Sequence, residues 1–132
     1  MPRFEDFASK YKIAADSKGA RVVFEFLSQP EIIARMIVFS DLGMPALEAV
    51  ANLLEKGVIG YPDFKFMYTQ NRQLVGRMIN YILSEFGYEP TGERRKLRKF
   101  AKSINFTTGA VYKRNPNIIP KRRIIIVDNK II

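Results

Sequence analysis

Apolar residues recur at helical spacing over most of the first ninety positions. Phe4, Phe7, Ala8, Tyr11 and Ala15 predict an amphipathic helix over residues 3–14. Asp16-Ser17-Lys18-Gly19 reads as a turn, with Asp16 or Ser17 placed to cap the next element. Residues 20–28 fit two periods. Val22, Phe24 and Phe26 alternate as in a strand, while Val23, Phe26 and Leu27 suit a helix. No partner strand lies nearby, so helix is the expectation. Pro30 stands where a first helical residue is favoured, and Ile32, Ile33, Met36 and Ile37 share one face of a helix over 30–40. A second proline-started helix runs from Pro45 to Lys56 and stops at Gly57. Its apolar positions cover most of its circumference. Such a helix is either central or packed on another subunit, which makes a homodimer through residues 45–56 a candidate assembly.

Gly57 to Phe66 reads as loop, with turn chemistry at Gly60 and Pro62-Asp63. Leu74, Val75, Met78, Ile79, Ile82, Leu83 and Phe86 then keep one stripe over four turns, with Arg72, Arg77, Asn80 and Glu85 expected to point away. Gly87 ends this helix and Pro90 prevents its resumption. The chain is expected to form a single domain, 1–132, with a helical body over 1–90 and a basic region over 91–132. Within the basic region, Leu97, Phe100, Ala101 and Ile104 predict a helix from Glu93 to Ile104, with Arg95, Lys99 and Lys102 on its far face. A turn at Asn105-Phe106 leads to a short element from Thr107 to Arg114. Ile124–Val127, the Asp128-Asn129 turn and Lys130-Ile131-Ile132 read as a short β-hairpin. The fold class expected is mainly α with a small C-terminal β component.

Charge changes this picture. The formal charge is +9, and the segment from Arg94 to Arg123 holds eleven Lys and Arg with no Asp or Glu. That stretch, under a quarter of the chain, carries more than the whole surplus. A one-sign block of such density repels itself unless an anion lies against it, and the commonest anion with regularly spaced charge is nucleic acid. Absences narrow the chemistry. Without Cys there is no disulfide and no thiolate; without His there is no imidazole base and no Cys/His zinc site. Neither a cofactor nor a metal site is expected. The N-terminus lacks the basic-then-apolar order of a signal peptide, and Ile32 to Phe39 is too short to span a bilayer. A cytoplasmic protein without membrane contact is the expectation.

Residues 97–114 have the layout of a helix-turn-helix. Ala101 is small where two helices would cross, Thr107 is placed to cap a second helix, and Val111 returns to the core beside Ile104 and Phe106. Phe100-Ala101, Thr107, Gly109, Val111 and Tyr112 resemble the recognition unit of TetR-type repressors. The likeness covers fewer than twenty residues and differs at Asn105, where Gly is usual, and at Asn115-Pro116. It implies a DNA-binding motif and no ligand-sensing architecture. On this reading Arg94, Arg95, Arg98, Lys99, Lys102, Lys121, Arg122 and Arg123 contact phosphates, Thr107 caps, and Thr108, Lys113 and Arg114 reach base edges.

The function expected is therefore non-enzymatic binding of duplex DNA. One alternative is an RNA-binding accessory protein that stacks bases on Tyr61, Phe64, Phe66, Tyr68 or Tyr88. Another is a protein-interaction module or inhibitor that docks its basic face on an acidic partner. A metal-dependent nuclease built on Asp63, Asp128 and Lys130 is the weakest, since Asp128-Asn129 is accounted for by the hairpin turn.

Overall fold

The computed structural model describes residues 1–55, 68, 70–98 and 108–122, together with the backbone of 126–127 and 130–131. Helices α1 (Phe4–Tyr11), α2 (Lys18–Leu27), α3 (Pro30–Asp41), α4 (Ala46–Glu55) and α5 (Arg72–Glu85) precede strands β1 (Tyr88–Lys96) and β2 (Thr108–Arg114). Strands β3 (Ile126–Val127) and β4 (Lys130–Ile131) follow. β1 pairs antiparallel with β2, and β3 with β4. The expected α-helical body and C-terminal β element are both present, and residues 20–28 resolve as helix. The predicted 57–66 loop and the 128–129 turn lie outside the described residues.

Local sequence accounts for the helix ends. Pro30 begins α3 at the position where a missing N–H is harmless. Ser17 occupies the N-cap of α2, although its side chain makes no capping bond. Asn71 caps α5, its Oδ1 accepting from the Leu74 N–H at 3.0 Å. Gly87, at φ +88°, supplies the left-handed residue that turns the chain out of α5 and into β1.

The core lies among α1–α5. Phe4, Phe7, Phe24 and Tyr81 form an aromatic cluster where α1, α2 and α5 meet: Phe7 stacks on Phe24 at 5.1 Å and meets Tyr81 edge-on at 5.6 Å. Tyr81 sits on the buried side of α5 although it falls outside the predicted stripe. Ile32, Ile33 and Met36 of α3 and Met78, Ile82 and Leu83 of α5 complete the interior. α4 is buried around most of its circumference. Ala46, Leu47, Ala49, Val50, Ala51, Leu53 and Leu54 are all buried within this one chain. Its broad apolar cover is thus satisfied internally, and that cover no longer points to a homodimer through residues 45–56.

The basic region departs from expectation. Glu93 to Lys96 belong to β1 and Thr108 to Arg114 to β2, so neither stretch is helical. The second helix of the expected helix-turn-helix is a strand. Pairing is the physical reason. Tyr88 lies opposite Arg114, Pro90 opposite Tyr112 and Arg95 opposite Gly109. β1 also runs across residue 90, where the helical body and basic region were expected to part. Between Pro90 and Arg94 the register shifts. Gly92, at φ +85°, makes the bulge, and the Thr91 hydroxyl donates to the Val111 carbonyl at 2.9 Å, in place of a ladder bond. Gly109 permits close approach, since a Cβ there would meet the Pro45 Cβ at 3.0 Å.

Three buried tyrosines carry a pH signature. Burial pushes the Tyr112 phenol up to about 12, and burial with the nearby Glu85 carboxylate does the same to Tyr81. Tyr88 is raised by burial and by its 2.7 Å hydrogen bond to Asp41 Oδ1. Each phenol holds its proton more tightly folded than unfolded, where its pKa is about 10. The stability they contribute is full below about pH 10 and is lost as pH rises through their folded values. Urea midpoints measured across this range should fall from about pH 10 upward, and Tyr88→Phe should make the fall shallower. Superimposable curves for the two proteins would contradict this.

Candidate nucleic-acid interface

The β1–β2 ribbon gathers much of the cationic segment. Arg94, Arg95, Lys96, Arg98, Lys113 and Arg114 are all exposed. On the inner part of β2, Gly109, Val111 and Tyr112 are buried, and Leu97 is buried at the end of β1. The ribbon is therefore seated on the helical body through apolar side chains while its charged ones face solvent. Pro45, just before α4, forms a β-bridge to Val111. This fixes β2 on the side away from β1.

The individual placements follow from the register. Arg94 lies opposite Ala110, Lys96 opposite Thr108, and Lys113 opposite Glu89. Arg95 is paired with Glu93, its Nε donating to Oε1 at 2.7 Å. Exposed pairs of this kind contribute little and exchange readily. Thr108 is exposed at the start of β2. Lys99, Lys102, Thr107 and Arg123 lie outside the described residues. The strand structure of 108–114 removes the role drawn for Thr108, Lys113 and Arg114 on a recognition helix.

Two acidic residues of the helical body hold the basic segment in place. Glu48 is 3 % exposed, and its Oε1 accepts the backbone N–H of Arg98. Glu85, expected to point away from the core, is 5 % exposed. Its Oε2 accepts from Arg122 Nε at 2.8 Å, and its backbone carbonyl accepts the N–H groups of Lys121 and Arg122. Arg122 is thus an anchor, while Lys121 remains exposed. Sequence reasoning missed both acids because each sits at a helical position that reads as solvent-facing. The signal was the excess of opposite charge that must pass close to the helix ends.

The interface contains no group of three or more His, Cys, Asp or Glu suited to a metal ion among the described residues. No helix of the described residues is long and apolar enough to cross a membrane. No family model, no curated protein and no solved structure matches the chain.

Arg122→Met should strand the buried Glu85 carboxylate and lower unfolding stability by about 1–3 kcal/mol in urea titrations. Lys121→Met, beside it and exposed, should change stability by less than about 0.5 kcal/mol. Equal effects would contradict the anchoring role.

Proposed function

We propose that the chain binds nucleic acid non-enzymatically, with duplex DNA as the target and the β1–β2 ribbon as the contact surface. The observation that carries this reading is the exposure of Arg94, Lys96, Lys113 and Arg114 along one paired ribbon, with Arg98 exposed just past its end. Among the described residues, no carboxylate lies within ion-pairing distance of these five side chains. A two-stranded antiparallel ribbon is narrow enough to enter a major groove, and its flanking cations then reach phosphates on both sides. The helix-turn-helix reading is replaced by this one.

The RNA alternative draws less support. Tyr68 and Tyr88, two of its stacking candidates, are buried at 7 % and 5 % exposure. Tyr61, Phe64 and Phe66 lie outside the described residues. Unpaired bases need an accessible ring face, so duplex binding is favoured. A basic face docking on an acidic protein uses the same cations. Its salt dependence does not follow the per-phosphate slope of log affinity against log salt that counterion release from a duplex produces.

Each phosphate neutralised adds about −0.9 to that slope. Replacing Lys96, Lys113 and Arg114 together by Ala should flatten the slope for a mixed-sequence duplex by roughly 2–3, with an unchanged far-ultraviolet spectrum. A slope equal to that of the parent protein would remove the ribbon from the contact.

A further inference from the structure

Between the α5 face and the β1–β2 ribbon lies a cleft of about 160 Å³. Leu47 of α4 with Val75 and Ile79 of α5 supply apolar lining. Two arginines from distant parts of the chain enter it: Arg72 from the first turn of α5 and Arg94 from β1. Among the described residues, no Asp or Glu lines it. Among the described residues neither guanidinium is within ion-pairing distance of a carboxylate. Arg72 lies over the Tyr68 ring, with Cζ 5.4 Å from the centroid. Burial raises the Tyr68 phenol, while Arg72 and Arg94 both pull it back. Both cations thus line the same cleft beside Tyr68.

The glycine in this wall is the second observation. Gly76 stands inside α5, where glycine is disfavoured relative to alanine. A Cβ at Gly76 would meet nothing within 4 Å. Packing therefore does not demand a glycine at this position. What the missing side chain leaves is open space in the wall of the cleft.

We propose that this cleft is a phosphate site, in which Arg72 and Arg94 clamp the phosphate monoester of a nucleotide. Two guanidiniums on one anion give the forked, charge-assisted hydrogen bonds that phosphate favours. The volume is below the roughly 300–1,000 Å³ of sites that enclose a drug-sized molecule. It therefore takes the phosphate end of the ligand and leaves the rest outside. Such a group comes from a free mononucleotide or from the 5′ end of a strand. The site goes beyond the ribbon reading, since it does not require Lys113 or Arg114.

The test is calorimetric titration of the full chain with adenosine monophosphate and with adenosine, followed by single strands bearing a 5′-phosphate or a 5′-hydroxyl. Adenosine monophosphate, the 5′-phosphorylated strand or both should bind about tenfold or more tightly than the hydroxyl counterpart. Preference for the strand assigns the site to strand ends, and preference for the mononucleotide assigns it to a free nucleotide. Arg72→Gln and Arg94→Gln should each weaken the preferred phosphate ligand about tenfold. Arg77→Gln, on the same helix but outside the cleft, should not. Gly76→Leu should block binding while leaving the thermal midpoint unchanged or raised. A duplex closed by hairpins at both ends separates the two surfaces, because it has no terminal phosphate. It should bind Arg94→Gln more tightly than it binds the Lys96, Lys113 and Arg114 triple variant. Equal affinities for phosphorylated and hydroxyl ligands, or equal losses in Arg94→Gln and Arg77→Gln, would overturn the proposal.

Discussion

Burial of the inner half of β2 is the constraint on which the arrangement of charge depends. A lone two-stranded hairpin is marginal in water. Here Val111 and Tyr112 sink into the body, Leu97 closes the far end, and Pro45 bridges to Val111 on the open edge. The apolar residues that hold the ribbon sit beside Lys113 and Arg114 in the same strand. Packing therefore sets where the cations stand, and their mutual repulsion is borne by a fixed surface instead of being relieved by spreading. Gly109 belongs to this contact, because a methyl group there would push β2 off Pro45 and Leu47.

Acidic residues of the helical body hold the cationic segment in place. Glu48 accepts a backbone N–H, and Glu85 takes one guanidinium together with two backbone N–H groups through its carbonyl. Among the described residues Arg122 is drawn inward this way, while Arg94, Lys96, Arg98, Lys113 and Arg114 are exposed. Tyr88 adds a third tie, from the start of β1 to Asp41 at the end of α3.

How much of this was legible in the sequence follows from the range of the interactions. The helices were readable because their signals are local: Pro30 starts α3, Gly87 stops α5, and the stripe from Leu74 to Phe86 needs no partner to be seen. The ribbon was not, because its partners are brought together only by folding. Leu97, Phe100, Ala101 and Ile104 carry a helical period that masked the strand beside them. Ala110-Val111-Tyr112, with two good β-formers, was the contrary signal. At the candidate interface the run of cations was visible at once. Arg72 was not, since nothing in its neighbourhood says that it lines the same cleft as Arg94. Glu85 was misplaced because a carboxylate on a helix reads as exposed until its guanidinium partner is known.

The most direct measurement of the central claim is the backbone geometry of residues 88–96 and 108–114 by solution NMR. The expected result is cross-strand nuclear Overhauser contacts joining Glu89 with Lys113 and Arg95 with Gly109, together with slow amide exchange at Val111 and Tyr112. Helical contacts from each residue to the third one on across 108–114 would contradict the ribbon and, with it, the placement of every cation that it carries.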